Sequence, residues 1–150
     1  MTRKQQRGSV AVELALVTPV LLLILLGIAQ FGWFINNYVL LVNAATAGAH
    51  QLASERGYST PYTDTKNLVL SETATLGKAP AITMSVGGTA CASDTACASA
   101  LGTTTQAPAA GTQATVSLSF SFAPLFTGTL YSLASMMPSS LSSSMSDYVQ

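Results

Sequence analysis

The chain has 150 residues, enough for one domain and, where part of it crosses a membrane, for only a small soluble remainder. Charged residues make up 8% of it, against about 25% in average soluble chains, and its mean hydropathy is +0.43. The zero net charge conceals a split: Arg3, Lys4 and Arg7 place +3 on the first eight residues and leave −3 on the remaining 142, so no basic patch exists to hold nucleic acid.

Residues 1–8 form a short, polar, basic leader. The bias of Lys and Arg toward the cytoplasmic side of a membrane segment predicts a cytoplasmic amino end and an outward-facing remainder. Residues 9–56 read as one helix. Leu14 to Ile35 is 22 residues, about 33 Å of helix, enough to cross a hydrocarbon core of about 30 Å. Past the apolar run, Phe31, Phe34 or Ile35, Tyr38, Leu41 or Val42, Ala45, Ala49 and Leu52 keep helical spacing. Asn36, Asn43 and His50 stand seven apart and mark a polar stripe. Arg56-Gly57 supplies the stop. From Glu13 to Arg56 the helix is 44 residues, about 66 Å, twice what a membrane requires.

Three readings of this helix compete. A cleaved secretory signal has small residues for a peptidase at Gly27-Ile28-Ala29, but Glu13 at the head of the apolar core and the apolar character beyond Gln30 count against it. A plain membrane anchor needs no long extension. A helix that packs against copies of itself needs both halves. Pro19 removes the donor for the Ala15 carbonyl and predicts a kink or local opening; the alternative is a membrane proline that its neighbours accommodate. Gly27 and Gly32, five apart, do not form a GxxxG face. Phe31, Trp33, Phe34 and Tyr38 mark the outer membrane boundary or a packing patch between subunits.

Glu13 is the informative residue. An ionisable side chain in an apolar helix costs several kcal/mol unless it is paired, unless it sits among the headgroups and is solvated. Cleavage after Gly8 would free an amine on Ser9 and make Glu13 the fifth residue of the mature chain. That amine, on one subunit, would neutralise Glu13 of its neighbour and fix the register between them.

Gly8-Ser9-Val10-Ala11-Val12-Glu13 resembles the processing site of type IV prepilins. Extended through Leu14-Ala15-Leu16-Val17-Thr18-Pro19 and the leucine-rich run to Gly27, it is similar to the TadE-like pseudopilins of tight-adherence, Flp-type pilus systems. Asn43 to His50 is similar to their alanine-rich segment. Leu14 stands where an aromatic is usual and His50 where a basic residue is common, and the sibling TadF- and TadG-type proteins share much of the signature. The resemblance implies cleavage by a prepilin peptidase at the inner membrane. It further implies a role as a minor pilin or assembly factor of an adhesive pilus. The implied partners are that peptidase, other pilins and pseudopilins, the inner-membrane assembly platform and membrane lipid. The alternative is an uncleaved, single-pass membrane protein whose periplasmic domain binds a partner.

Residues 57–150 read as a small periplasmic α+β domain. Gly57 to Thr63 is a loop with Pro61, and Asp64 to Leu76 a short helix capped by Asp64 and stopped at Gly77. Ile82, Met84 and Val86 alternate as a strand. Gly87 to Gly111, rich in Ala, Ser, Thr and Gly, is expected to be a loop. Cys91 and Cys97 lie in it, in a compartment that permits a disulfide, with free thiols as the alternative. Val116, Leu118, Phe120 and Phe122 alternate with serines as the clearest strand, ended by Ala123-Pro124, and Leu141, Met145 and Val149 suggest a last one. The expected fold is a long amino-terminal helix packed through its Tyr38–Leu52 stripe on a small antiparallel sheet, pilin-like. His50 reads as a polar-face residue. With one histidine and no paired carboxylates, phosphate loop or metal-ligand cluster, the chain is expected to be non-catalytic and without cofactor or metal.

Overall fold

A computed structural model describes residues 3–103, 111–124 and 137–150, with side chains from Val10 onward. One long helix, α1 (Arg3–Ser54), leads into α2 (Pro61–Glu72), a 3₁₀ turn (Ala74–Leu76), β1 (Ala81–Val86), β2 (Thr89–Cys91), α3 (Asp94–Leu101), β3 (Gln113–Ser121) and β4 (Ser140–Tyr148). The sheet is antiparallel throughout, in the order β2-β1-β3-β4. The class is α+β, as the residue pattern predicts.

Central strand β3 explains the packing. Ala114, Val116, Leu118 and Phe120 point inward and are buried, followed by Phe122. The serines and threonines between them point outward and pair across to β4, Thr115 with Ser146 and Ser117 with Ser144, each at 2.8 Å. Burying each large inner side chain contributes about 1.5–3 kcal/mol, and the outward hydroxyl pairs add only tenths. Leu41, Ala44, Ala45, Ala49, Leu52 and Ala53 of α1 close the core from the other side. At Gly48 the helix approaches so closely that an added Cβ would stand 2.7 Å from Cγ2 of Val69 and 3.4 Å from Cγ1 of Val116. Glycine is required there by a neighbour.

Four expectations need correction. Tyr38 is exposed, together with Phe31 and Ile35, whereas Phe34, Leu41, Ala45, Ala49 and Leu52 of the expected stripe pack on the domain, so the sheet takes the stripe from Leu41 onward and leaves Tyr38 outside it. The second helix starts at Pro61, three residues before Asp64, because proline suits the first helical position, where its missing N–H is no loss. Thr60 precedes it and donates its hydroxyl to Asp64 Oδ2 at 2.7 Å, while Gly77, at φ 73°, ends the 3₁₀ turn as expected.

The stretch from Gly87 to Gly111 is not simply a loop. Gly87 and Gly88, at φ 57° and 81°, make a two-residue hairpin turn that returns the chain as β2. Ser93 then caps α3, its Oγ accepting from the Ala96 N–H at 3.2 Å, and Gly102 closes that helix. The sheet accordingly has four strands and not three. The remainder of that stretch, 104–110, lies outside the described residues.

Cys91 on β2 and Cys97 on α3 are joined by a disulfide with their Cα atoms 5.0 Å apart. The bond ties the short edge strand to the helix that follows it.

Candidate functional site: the amino-terminal helix

α1 divides into two unlike halves. Every described side chain from Val10 to Val20 is exposed, and exposure continues through most of the run to Ala29. The stretch is long and apolar enough to cross a membrane, and its most apolar window touches nothing else in the fold. Gln30 is the first residue that the domain covers, at 8% exposure, and Asn37 follows at 3%. Gln30 donates from Nε2 to Met137 Sδ at 3.5 Å, and Phe34 meets Phe122 edge-on with ring centres 5.4 Å apart. The domain therefore begins at Gln30, inside the 22-residue run counted from Leu14 to Ile35. Val10 to Ala29 leaves 20 residues uncovered, about 30 Å, still the thickness of a hydrocarbon core.

This division separates the aromatic cluster. Phe34 belongs to the domain's packing, whereas Phe31, Trp33 and Tyr38 remain exposed. Asn36, Asn43 and His50 all face outward, so the polar stripe lies where the spacing puts it.

Gly8 and Ser9 lie within α1 at its amino end. Glu13 follows just over one turn later, exposed on an otherwise apolar surface. Among the described residues the one ion pair lies elsewhere, between His50 and Asp147, so no described cation of the chain neutralises Glu13. α1 continues through Pro19, and Thr18 Oγ1 donates to the Leu14 carbonyl at 2.6 Å, one turn back. The proline's own cost is the free Ala15 carbonyl beside it.

Two pairings escaped the residue pattern. His50 Nδ1 lies 2.8 Å from Asp147 Oδ2, joining α1 to β4. That hydrogen bond, then the one from the Tyr148 N–H, holds the Asp147 carboxyl below its ordinary range. Asp94, at the start of α3, accepts from the Thr63 N–H at 2.8 Å and the Thr63 hydroxyl at 2.7 Å. These bonds to α2 lower its carboxyl likewise, the hydroxyl contributing most. The only sequence signal for Asp147 was its register with Leu141 and Met145, which places it on the inward face of β4.

Elsewhere the chemistry is sparse. Among the described residues no group of three or more His, Cys, Asp or Glu side chains gathers to hold a metal ion. An open depression of about 430 Å³ lies between α3 and the β1–β2 turn, lined by small apolar and hydroxyl residues such as Val86, Thr89, Ala96 and Ser99. None of its lining can titrate.

Residues 8–50 match the family model described as TadE-like protein. The match starts at Gly8 and ends at His50, within α1. No curated protein and no solved structure gives a significant match.

Proposed function

We propose, from the TadE-like character of residues 8–50, that this chain is a non-catalytic minor pilin or pseudopilin needed to assemble a tight-adherence pilus. In this reading the basic leader stays in the cytoplasm, α1 crosses the inner membrane, and residues 57–150 fold in the periplasm. A prepilin peptidase cuts after Gly8. The new amine of Ser9 on one subunit then neutralises Glu13 of a neighbour within the apolar helical core, where an unpaired carboxylate costs several kcal/mol. Released from the leader, the helix packs with those of other pilins above the assembly platform, in a filament that serves adhesion and biofilm formation.

One observation carries this reading. α1 is about twice as long as a membrane requires, and its first half stays uncovered while its second half is the core of the domain. A secretory signal gains nothing from a charge at the head of its apolar core. An anchor has no use for a carboxylate at the head of the first half.

The test is the mature amino terminus, read by mass spectrometry on protein made with and without the cognate prepilin peptidase. A start at Ser9 that depends on the peptidase supports the proposal. A start at Gln30 identifies a secretory signal, and a start at Met1 identifies an uncleaved, membrane-anchored binding protein.

A further inference from the structure

We propose that the free edge of β4 is a binding site for an extended segment of a different polypeptide, which joins the four-stranded sheet as a further strand. The inference goes beyond the pilin reading and takes from it only the single orientation of α1 in the membrane. An edge strand exposes a row of main-chain donors and acceptors, and native folds blunt that row with short strands, proline, lysine, bulges or a covering element. The two edges of this sheet differ in that respect.

The bonding pattern identifies the free groups. The Phe122 N–H donates to the Ser139 carbonyl and the Val149 N–H to the Thr112 carbonyl, each at 3.0 Å, in register with the β3–β4 ladder. Hydrogen-bonded pairs of an antiparallel ladder recur at every second residue, so Leu141, Ser143, Met145 and Asp147 are the residues that bond to β3. Ser140, Ser142, Ser144 and Ser146 therefore turn their N–H and C=O groups to the open side. Among the described residues none of these four makes a backbone bond outside the ladder. The hydroxyls of Ser144 and Ser146 do not cap the row, since they pair back across the sheet with Ser117 and Thr115.

Nothing along β4 discourages a further strand. Ser140–Tyr148 runs nine residues in unbroken register with β3, without proline, lysine or bulge. Its one charge, Asp147, is engaged by His50 of α1. The opposite edge is closed by contrast. β2 has three residues, of which Ala90 alone turns its backbone outward, and the disulfide fastens α3 beside it.

The direction of β4 selects the occupant. Met137 lies beside Gln30, Asp147 beside His50 and Gln150 beside Ala53, so β4 runs alongside α1 in the same sense. Two β4 edges paired antiparallel about a two-fold axis would turn one α1 end over end, which copies inserted with one orientation cannot do. β2 of a second copy has the required sense but offers one residue. A strand of another polypeptide is under neither constraint. Its main chain supplies the complementary donors and acceptors, and its alternating side chains meet two unlike rows. Serines line the outer row, and Leu141 with half-buried Met145 lines the inner. The segment that fits alternates apolar with small or hydroxyl residues, as β3 does.

The experiment places a photoreactive phenylalanine analogue singly at Ser142 and Ser146 in the full chain in its native membrane. Thr83, exposed on the same face of inner strand β1, is the off-edge control. The expected result is adducts to a different polypeptide from both edge positions, several-fold above the control, mapped by tandem mass spectrometry to one alternating segment. Ser144→Pro removes an edge-facing N–H and no bond to β3. It should lower the yield several-fold while the thermal unfolding of the domain stays close to that of wild type. Hydrogen exchange needs no substitution: the amides of the four edge serines should exchange several-fold more slowly in the native membrane than in the purified chain. Equal yields at Thr83, adducts of twice the chain mass, no adducts, yields indifferent to Ser144→Pro, or serine amides equally fast in both settings would each overturn the site. The pilin reading fails separately: edge adducts on a chain that still starts at Met1 sink it and leave the site standing. A chain that starts at Ser9 without edge adducts does the reverse.

Discussion

His50 and Asp147, 97 residues apart in the chain, meet at 2.8 Å between Nδ1 and Oδ2. The contact fastens the edge strand β4 to the carboxy-terminal half of α1. Backbone bonds continue the fastening where the chain ends, with the Gln150 N–H on the Ala53 carbonyl at 3.3 Å and the Val149 N–H on the Thr112 carbonyl at 3.0 Å.

That pairing predicts an acid limb of stability. The Asp147 carboxyl is held below its ordinary value of 3.8, first by His50 and then by the Tyr148 N–H. A carboxyl depressed by folding contributes stability that is fully present above its unfolded pKa and is lost as pH falls through the native one. Wild-type protein should therefore lose stability progressively below about pH 4, and Asp147→Asn should flatten part of that fall. Asp94 is depressed through Thr63 in the same sense, so the double variant with Asp94→Asn should be flatter still. Denaturation midpoints measured between about pH 2 and pH 6 read the effect. Superimposable slopes for wild type and both variants would remove these carboxylates from the acid response.

Gly48→Ala tests the closest approach in the core. The new methyl would stand 2.7 Å from Cγ2 of Val69, so α1 must move away from α2 or Val69 must give. Overpacking of this kind costs about 1–3 kcal/mol, partly offset by the better helix propensity of alanine. The variant should unfold with a net loss of about 1–2 kcal/mol, and the double variant with Val69→Ala should lose less than the sum of the two single losses. Chemical denaturation of the detergent-solubilised full chain gives all four corners of that cycle. Simple additivity would mean that Val69 is not what confines position 48.

Reducing the Cys91–Cys97 bond should loosen a corner and leave the centre intact. The loop it closes is short, so the chain-entropy contribution is about 2 kcal/mol. Hydrogen exchange should rise in Thr89–Leu101, where β2 contributes only three residues to the sheet, while β3 keeps its protection. Uniform loss of protection across β3 and α1 would instead make the disulfide a support of the whole fold.

Much of this architecture is legible in the residues, for local reasons. α1 announces itself because no other structure accommodates an apolar run of that length with a basic leader. β3 does so because its apolar and hydroxyl residues alternate without interruption. What stayed hidden depends on tertiary context. Asn36 and Asn37 are neighbours of identical chemistry, yet one faces solvent and the other is buried at the domain's base. The seven-residue spacing to Asn43 and His50 puts Asn36 on the polar stripe, but nothing local says that Asn37 is covered. Gly87-Gly88 and Ser93 are recognisable turn and cap residues, but the Ala, Ser and Thr around them carry no hydrophobic period to mark β2 and α3 as elements. Tyr38 fits the core's spacing as well as Leu41 does. The sheet takes one face of α1 and leaves the other open, a choice made by Gly48 and the alanines that admit close approach.

Glu13 bears the most direct test of mechanism. In the proposed reading its carboxylate meets the Ser9 amine of an adjacent subunit after cleavage, in surroundings where neither charge is well solvated. Glu13→Gln preserves shape and hydrogen-bonding capacity and removes only the charge, which strands the amine. Breaking a buried pair from one side costs about 3–5 kcal/mol, roughly a hundredfold or more in partition between membrane and filament. In that reading the peptidase acts at Gly8-Ser9, more than one helical turn away. The variant should therefore still yield a chain that starts at Ser9, accumulate in the inner membrane, and fall about a hundredfold in sheared surface pili. Mass spectrometry of the amino terminus and immunoblots of the two fractions separate cleavage from incorporation. A variant that is cleaved and incorporated at wild-type levels would show that Glu13 sets no register, and the charge-pairing step would have to be abandoned even where the chain proves to be a pilin.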